Sequence, residues 1–242
     1  MSLVPSNGLL LCVEGTDGSG KGTQTNMLVD ALIADGHYVM RMEFPQYTTS
    51  FFGKEVGKFL NGDYGPLENI HPKVASMIYA ADRYQARDRM MAHMNMGGIV
   101  ICDRYVGSNM AYQCSRLPNQ TEQREMMKWL FEMEHGVYEL PEPSATFFLN
   151  VPVDVSKQLV LLKEQRAYTD KSEDIIEAKH GLIERVYSQY QYLAQEYDWV
   201  TIECMSHQNV KSIDTLLPVE VIFDRLKAQV NRVIMEAKGL SQ

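Results

Sequence analysis

The stretch Leu9-Leu-Leu-Cys-Val-Glu-Gly-Thr-Asp-Gly-Ser-Gly-Lys-Gly-Thr23 decides the fold. It opens on an apolar run, Leu9 to Val13, and passes into Gly15-x-x-x-x-Gly20-Lys21, then Gly22 and Thr23. Met27, Leu28, Ala31 and Leu32 follow at helical spacing. A buried strand, a glycine loop and a helix in direct succession are what a phosphate-binding loop requires. The glycines let the backbone wrap with its N–H groups inward. The helix N-terminus adds partial positive charge, and Lys21 adds a full one. An ordinary strand-to-helix turn shares the glycines but not this agreement of flanking elements. Gly15, Gly18, Ser19, Gly20, Lys21, Gly22 and Thr23 are therefore the expected phosphate contacts.

One position departs from the usual motif. Gly22 follows Lys21, where a Ser or Thr ordinarily ligates Mg²⁺. The hydroxyl is displaced to Thr23. Gly-Lys-Gly-Thr-Gln resembles the P-loop of adenylate kinases, which are nucleoside monophosphate kinases. The metal is then expected to lean on water, nucleotide oxygens and carboxylates.

The 242 residues suffice for one α/β domain with a sizeable core. A hydrophobic content of 45% with 22% charged residues is globular. A formal net charge of -8 argues against a non-specific nucleic-acid binder, which needs a basic face. The four cysteines have no metal-like spacing, and Cys12, Cys102 and Cys204 lie in apolar strand-like runs. A cytoplasmic setting is expected. No run approaches transmembrane length, so no membrane contact is expected. Residues 1–8 read as a leader, and 9–242 as a single domain.

Strand-like runs alternate with helical patterns along the chain: Leu9–Glu14, Tyr38–Glu43, Gly98–Asp103, Ala145–Val151 and Trp199–Glu203. This alternation predicts a doubly wound, five-stranded parallel sheet flanked by helices. Helices are expected over Lys21–Asp35, Lys54–Leu60, His71–Met96, Asp154–Leu162, Ile176–Tyr197 and Val219–Ala237, with another starting at Val106.

Phe44-Pro45-Gln46-Tyr47 follows the second strand directly, where ligands of such sheets bind. A proline turn with two packing aromatics would read the same. Tyr79 and Arg83 lie four apart on a helix and share a face able to hold a flat ring. An amphipathic helix with an Arg reaching for solvent also fits. Gly98-Ile-Val-Ile-Cys-Asp103-Arg104 is a strand ending in Asp then Arg. Its carboxylate can hold Mg²⁺ or its waters, and its guanidinium can grip a phosphate. Asn109 and Tyr112, three apart, can reach a sugar or base.

Taken together, Glu14-Gly-x-Asp17-Gly-x-Gly-Lys21, Phe44-Pro45-x-Tyr47, Ala81-Asp82-Arg83 and Asp103-Arg104-Tyr105-x-x-Ser108-Asn109-x-Ala111-Tyr112 resemble thymidylate kinase. The motifs run in that family's order over about the first half of the chain. The resemblance implies the nucleoside monophosphate kinase fold and transfer of the γ-phosphate of ATP to dTMP with Mg²⁺. It implies a homodimer, and it assigns roles residue by residue. Asp17 sits near the acceptor sugar and phosphate. Phe44 and Tyr47 line the thymidylate site, Tyr79 stacks on thymine, and Arg83 hydrogen-bonds the base. Arg104 holds the acceptor phosphate, Asn109 contacts the nucleotide, and Tyr112 crowds the sugar 2′ position. Lys21 serves catalysis, and Thr23 and Asp103 serve the metal, in part through water.

Some members carry an Arg after the P-loop Asp, where this chain has Gly18. In such members the resemblance puts the transition-state cation in a mobile lid, here about 163–175. Arg166 is the first candidate and Lys163 the second, with Lys171 also available. Two other readings stay open: a kinase for dUMP or AMP, and a non-catalytic P-loop nucleotide-binding protein. Arg83 and Tyr112 speak against AMP. The intact Lys21 and Asp103-Arg104 pair speak against the second.

Overall fold

The computed structural model describes residues 8–166, 181–207 and 212–239. Strands β1 (Leu9–Glu14), β2 (Val39–Glu43), β3 (Ile99–Asp103), β4 (Ala145–Asn150) and β5 (Val200–Glu203) form one parallel sheet, ordered β2-β3-β1-β4-β5. This is the expected α/β architecture, with each strand within a residue of its expected bounds. The β1–β3 pairing sets Val13 opposite Asp103, which brings the end of β3 beside the glycine loop.

The helices are α1 (Lys21–Ala34), α2 (Phe51–Leu60), α3 (Pro72–Asn95), α4 (Val106–Cys114), α5 (Gln120–Phe131), α6 (Val153–Arg166), α7 (Leu182–Glu196) and α8 (Val219–Ala237). Both sheet faces are covered, which is why β1 is apolar along its length rather than alternating. Leu9, Leu11 and Val13 enter one core with Leu28 and Leu32 of α1 and Leu226 and Val230 of α8. Leu10 and Cys12 enter the other, with Met90 of α3, Ala111 of α4 and Tyr190 of α7. Side chains alternate along a strand. Glu14 therefore faces α4 and α7, while Asp103, on the side of Ile99 and Ile101, faces α1.

Four elements differ from expectation. α7, expected to run through Gly181, begins at Leu182, because Gly181 takes a left-handed conformation at φ 82°. α2 starts at Phe51, three residues early, because Ser50 caps it by accepting from the Gly53 N–H at 2.7 Å. α6 continues to Arg166, past the Leu162 at which the apolar pattern ends. Between α4 and β4 lies α5, followed by a π-helical turn, Glu132–Val137. Its polar face carries no strong pattern, so the sequence does not announce it. The four cysteines are buried and unpaired. No helix among the described residues is long and apolar enough to cross a membrane.

Candidate active site

The glycine loop spans the gap between β1 and α1. Gly20 precedes α1 with φ 86°, a left-handed conformation that glycine adopts without strain. Lys21 is buried, and its ammonium donates to the Thr16 carbonyl at 2.7 Å and lies 3.5 Å from Ser19 Oγ. Burial, then the nearby Arg104 guanidinium, lowers its pKa to about 8. Thr23 is exposed, with no partner among the described residues. The buried hydroxyl at this helix end belongs to Thr25, which donates to the Lys21 and Gly22 carbonyls at 2.9 and 3.1 Å.

Asp103 is buried at the end of β3. Its Oδ2 lies 3.3 Å from where a side-chain carbon on Gly22 would stand and 3.7 Å from Arg41 Nη2. Burial raises its pKa against the opposing pull of Lys21 and Arg104.

Arg104 follows with φ 66°, an uncommon backbone for a residue with a side chain. Its guanidinium pairs with Asp17 Oδ1 and donates to the Gly15 carbonyl (3.3 Å), Ser108 Oγ (3.2 Å) and the Tyr190 hydroxyl (3.2 Å). It also lies 5.3 Å from the Tyr112 ring centroid. The Tyr112 hydroxyl donates to Asp17 Oδ2 at 2.5 Å. Burial works against the Asp17 charge, but Arg104 and then Lys21 hold its pKa down to about 2.

One cavity opens from this pair. Asp17, Phe44, Tyr47, Tyr79, Arg83, Arg104, Asn109 and Tyr112, the residues expected to meet an acceptor nucleotide, all line it. Phe44 is buried 5.9 Å from the Tyr105 ring centroid, while Tyr47 is exposed. Tyr79 stands edge-on to Phe59, with centroids 6.1 Å apart. Arg83 does not reach for solvent. It is 2% exposed and forks onto Glu134, Nε to Oε2 at 2.5 Å and Nη2 to Oε1 at 2.6 Å.

Several residues that build the site carried no sequence signal of their role. Glu134 is one. Asp82, adjacent to Arg83, lines the cavity, and its carboxylate accepts from the Gln46 N–H at 2.9 Å and from the Ser50 hydroxyl. It ties the Phe44–Tyr47 segment to α3. Glu14 accepts from the Tyr105 and Ser108 N–H groups and so anchors the start of α4. Tyr190 belongs to an apolar stripe of α7 whose other members are core, yet its hydroxyl meets Arg104. Lys163 and Arg166 fall in the last turn of α6, where the side chains lie outside the described residues. Lys171 and the rest of the expected lid lie outside them too.

A protein-family model described as thymidylate kinase matches residues 13–215. The thymidylate kinase of Exiguobacterium sp. is 30% identical over 210 residues, covering 86% of this chain and 91% of that protein. The thymidylate kinase of Plasmodium falciparum is 28% identical over 198 residues, covering 81% and 82%. The solved structure of thymidylate kinase from Candida albicans superposes with a TM-score of 0.64 at 19% identity, over 97% of this chain and 94% of that one, a likeness of fold. The match spans the glycine loop, the cavity and the β3–α4 junction alike: the chain belongs to the thymidylate kinase family.

Proposed function

We propose that this chain transfers the γ-phosphoryl group of ATP to dTMP, giving dTDP and ADP. The observation that carries the reading is the position of Asp17 and Arg104. They sit on the glycine loop and at the end of β3, and they also form one wall of the cavity. A donor bound at the loop and an acceptor bound in the cavity would meet there.

A phosphate oxygen of dTMP attacks the γ-phosphorus, and the bond to the β–γ bridging oxygen breaks. The attacking oxygen is already ionised at neutral pH, so no general base is needed. The work is positioning and charge neutralisation. Lys21 and the loop amides of Gly15, Gly18, Ser19, Gly20 and Gly22 hold the donor phosphates. Arg104 holds the acceptor phosphate. Its fork has to leave Asp17 in part, which a dianionic phosphate favours. Tyr79 stacks on the base, Arg83 and Asn109 read its edge, and Tyr112, tied to Asp17, crowds the sugar 2′ position.

The residues at the loop fit a Mg²⁺ ion carried by ATP. Asp103 offers a buried carboxylate next to Gly22, and the described residues hold no cluster of three or more His, Cys, Asp or Glu that would cage a metal. One carboxylate with water and nucleotide oxygens suits Mg²⁺, which sheds its waters reluctantly. Asp103, and Thr23 through water, would hold it. When bound, it neutralises charge on the phosphate oxygens. The remaining transition-state charge falls to a lid cation, Arg166 before Lys163. A homodimer in the cytoplasm completes the reading.

An ATP-dependent assay on dTMP, dUMP, AMP, CMP and GMP side by side tests it. Preference for dTMP is expected. Preference for AMP, or ATP binding without turnover of any acceptor, overturns it.

A further inference from the structure

Glu134 has no part in the phosphoryl transfer described above. It is nevertheless fully buried, and among the described residues its carboxylate bonds lead only to two that line the cavity. Oε2 accepts from Arg83 Nε at 2.5 Å, and Oε1 accepts from Arg83 Nη2 at 2.6 Å and from Asn109 Nδ2 at 2.8 Å. It stands in the π-helical turn that ends α5, a wide turn of the kind that recurs at functional sites.

The Asn109 amide is a donor at one end and an acceptor at the other. One end meets the Ser76 carbonyl at 3.1 Å and the Glu134 carboxylate at 2.8 Å. Both of those groups only accept, so that end is the NH₂ whichever way the amide is drawn. Oδ1 is then the end left over. It is buried and has no hydrogen-bond partner, on a residue that lines the cavity. A buried acceptor without a partner is costly unless a ligand supplies the donor. Arg83 has five N–H groups. Glu134 takes two and the Tyr105 carbonyl, at 3.5 Å, one. Two remain, on a side chain that meets Asn109 at Glu134 Oε1.

We propose that Glu134 is the positioning residue for base selection: it fixes the NH₂ end of Asn109, leaving Oδ1 as the acceptor, and it fixes Arg83 with two N–H groups left to donate. This donor–acceptor pair matches a 4-oxopyrimidine, whose N3–H donates and whose C4 oxygen accepts. It mismatches a 4-aminopyrimidine, whose N3 accepts and whose C4 amine donates. The inference rests on dTMP as acceptor. It separates thymine and uracil from cytosine and leaves the 5-methyl group to other walls of the cavity.

Glu134→Gln tests it. The introduced amide has a single acceptor end, so its NH₂ opposes Arg83 Nη2 and Asn109 Nδ2 together or opposes Arg83 Nε, and the joint hold on the two side chains is lost. The ratio of kcat/KM for dTMP to that for dCMP is expected to fall by about tenfold or more, with kcat for saturating dTMP changed less than about threefold. A merely structural role would lower both substrates together. A ratio unchanged in the folded variant overturns the proposal. If Glu134→Gln does not fold, Glu134→Asp decides, because it keeps an acceptor-only group. A ratio kept within about twofold with a raised KM supports the proposal, and a ratio lost as fully as tenfold overturns it. The wild-type control separates the two levels. If it does not prefer dTMP, the acceptor reading fails; if it does and Glu134→Gln keeps the ratio, the Glu134 assignment alone fails.

Discussion

The buried carboxylate of Glu14 holds Ser108 twice, accepting from its backbone N–H at 3.0 Å and from its hydroxyl at 2.6 Å. The same Ser108 oxygen lies 3.2 Å from Arg104 Nη1 and 2.8 Å from the Tyr190 hydroxyl. The last residue of β1 thereby fixes the first turn of α4 and, through it, the guanidinium assigned to the acceptor phosphate. Glu14→Ala strands two backbone N–H groups and two hydroxyls in a dry interior. It should cost on the order of 3 kcal/mol of stability and depress turnover through Arg104. Denaturant unfolding measures the first. A loss near zero would remove Glu14 from this role.

Lys21 should oppose stability while serving function. Burial lowers its pKa from 10.5 to about 8. Between those values the unfolded chain binds more protons than the folded one, so stability rises with pH across that window. At neutral pH the buried charge is a cost. Lys21→Met should therefore raise stability by on the order of 2 kcal/mol while abolishing turnover, a combination that calorimetry and an ATP assay would reveal together.

The same pKa sets the pH dependence of donor binding. The triphosphate favours the charged ammonium, and the free enzyme loses that proton above about 8. ATP affinity should be level below pH 7 and weaken as pH rises past 8, by up to about tenfold per pH unit. Calorimetric titrations from mildly acidic to alkaline pH check it. Affinity that improves with rising pH would contradict the assignment.

Arg104→Ala should reduce turnover by about a thousandfold and leave the protein folded. The strained backbone at φ 66° loses a long side chain and keeps its hydrogen-bonded frame. Without the guanidinium, the Asp17 carboxyl should rise from about 2 toward its ordinary range. Substantial activity in a folded Arg104→Ala protein would sink the acceptor-phosphate role.

Gly18 has no room for the Arg that some family members carry. Its φ is +79°, and a side-chain carbon there would lie 2.3 Å from the Ser156 carbonyl oxygen and 2.9 Å from Val160 Cγ2, both in α6. Gly18→Arg should destabilise by about 1–3 kcal/mol and should not restore activity to an Arg166→Ala enzyme. Rescue in that double variant would show that the loop accepts a catalytic cation.

The candidate site was legible wherever chemistry is written into short spacing. Gly15 to Thr23 read as a phosphate loop from neighbours in the chain, and Asp103-Arg104 read as a functional strand end. What stayed hidden were partners chosen across long separations. Arg83 and Glu134 lie 51 residues apart, and Glu14 and Tyr190 lie 176 apart. Nothing local distinguishes Glu134 from the other acidic residues around α5. Asp82 stood inside a quoted motif, but its partner Gln46 could not be read without the fold.

By itself the sequence determined the alternation of strands and helices, because apolar periodicity and glycine punctuation are local consequences of backbone geometry and burial. It also determined which residues carry charge to the glycine loop. Only the tertiary structure decided how those charges are held. The strand order sets the end of β3 beside β1, so Asp103 meets Gly22 and Arg104 meets Asp17. The physical reason is that a buried charge needs a partner, and a chain can supply that partner from any distance along its length once the sheet has closed the gap.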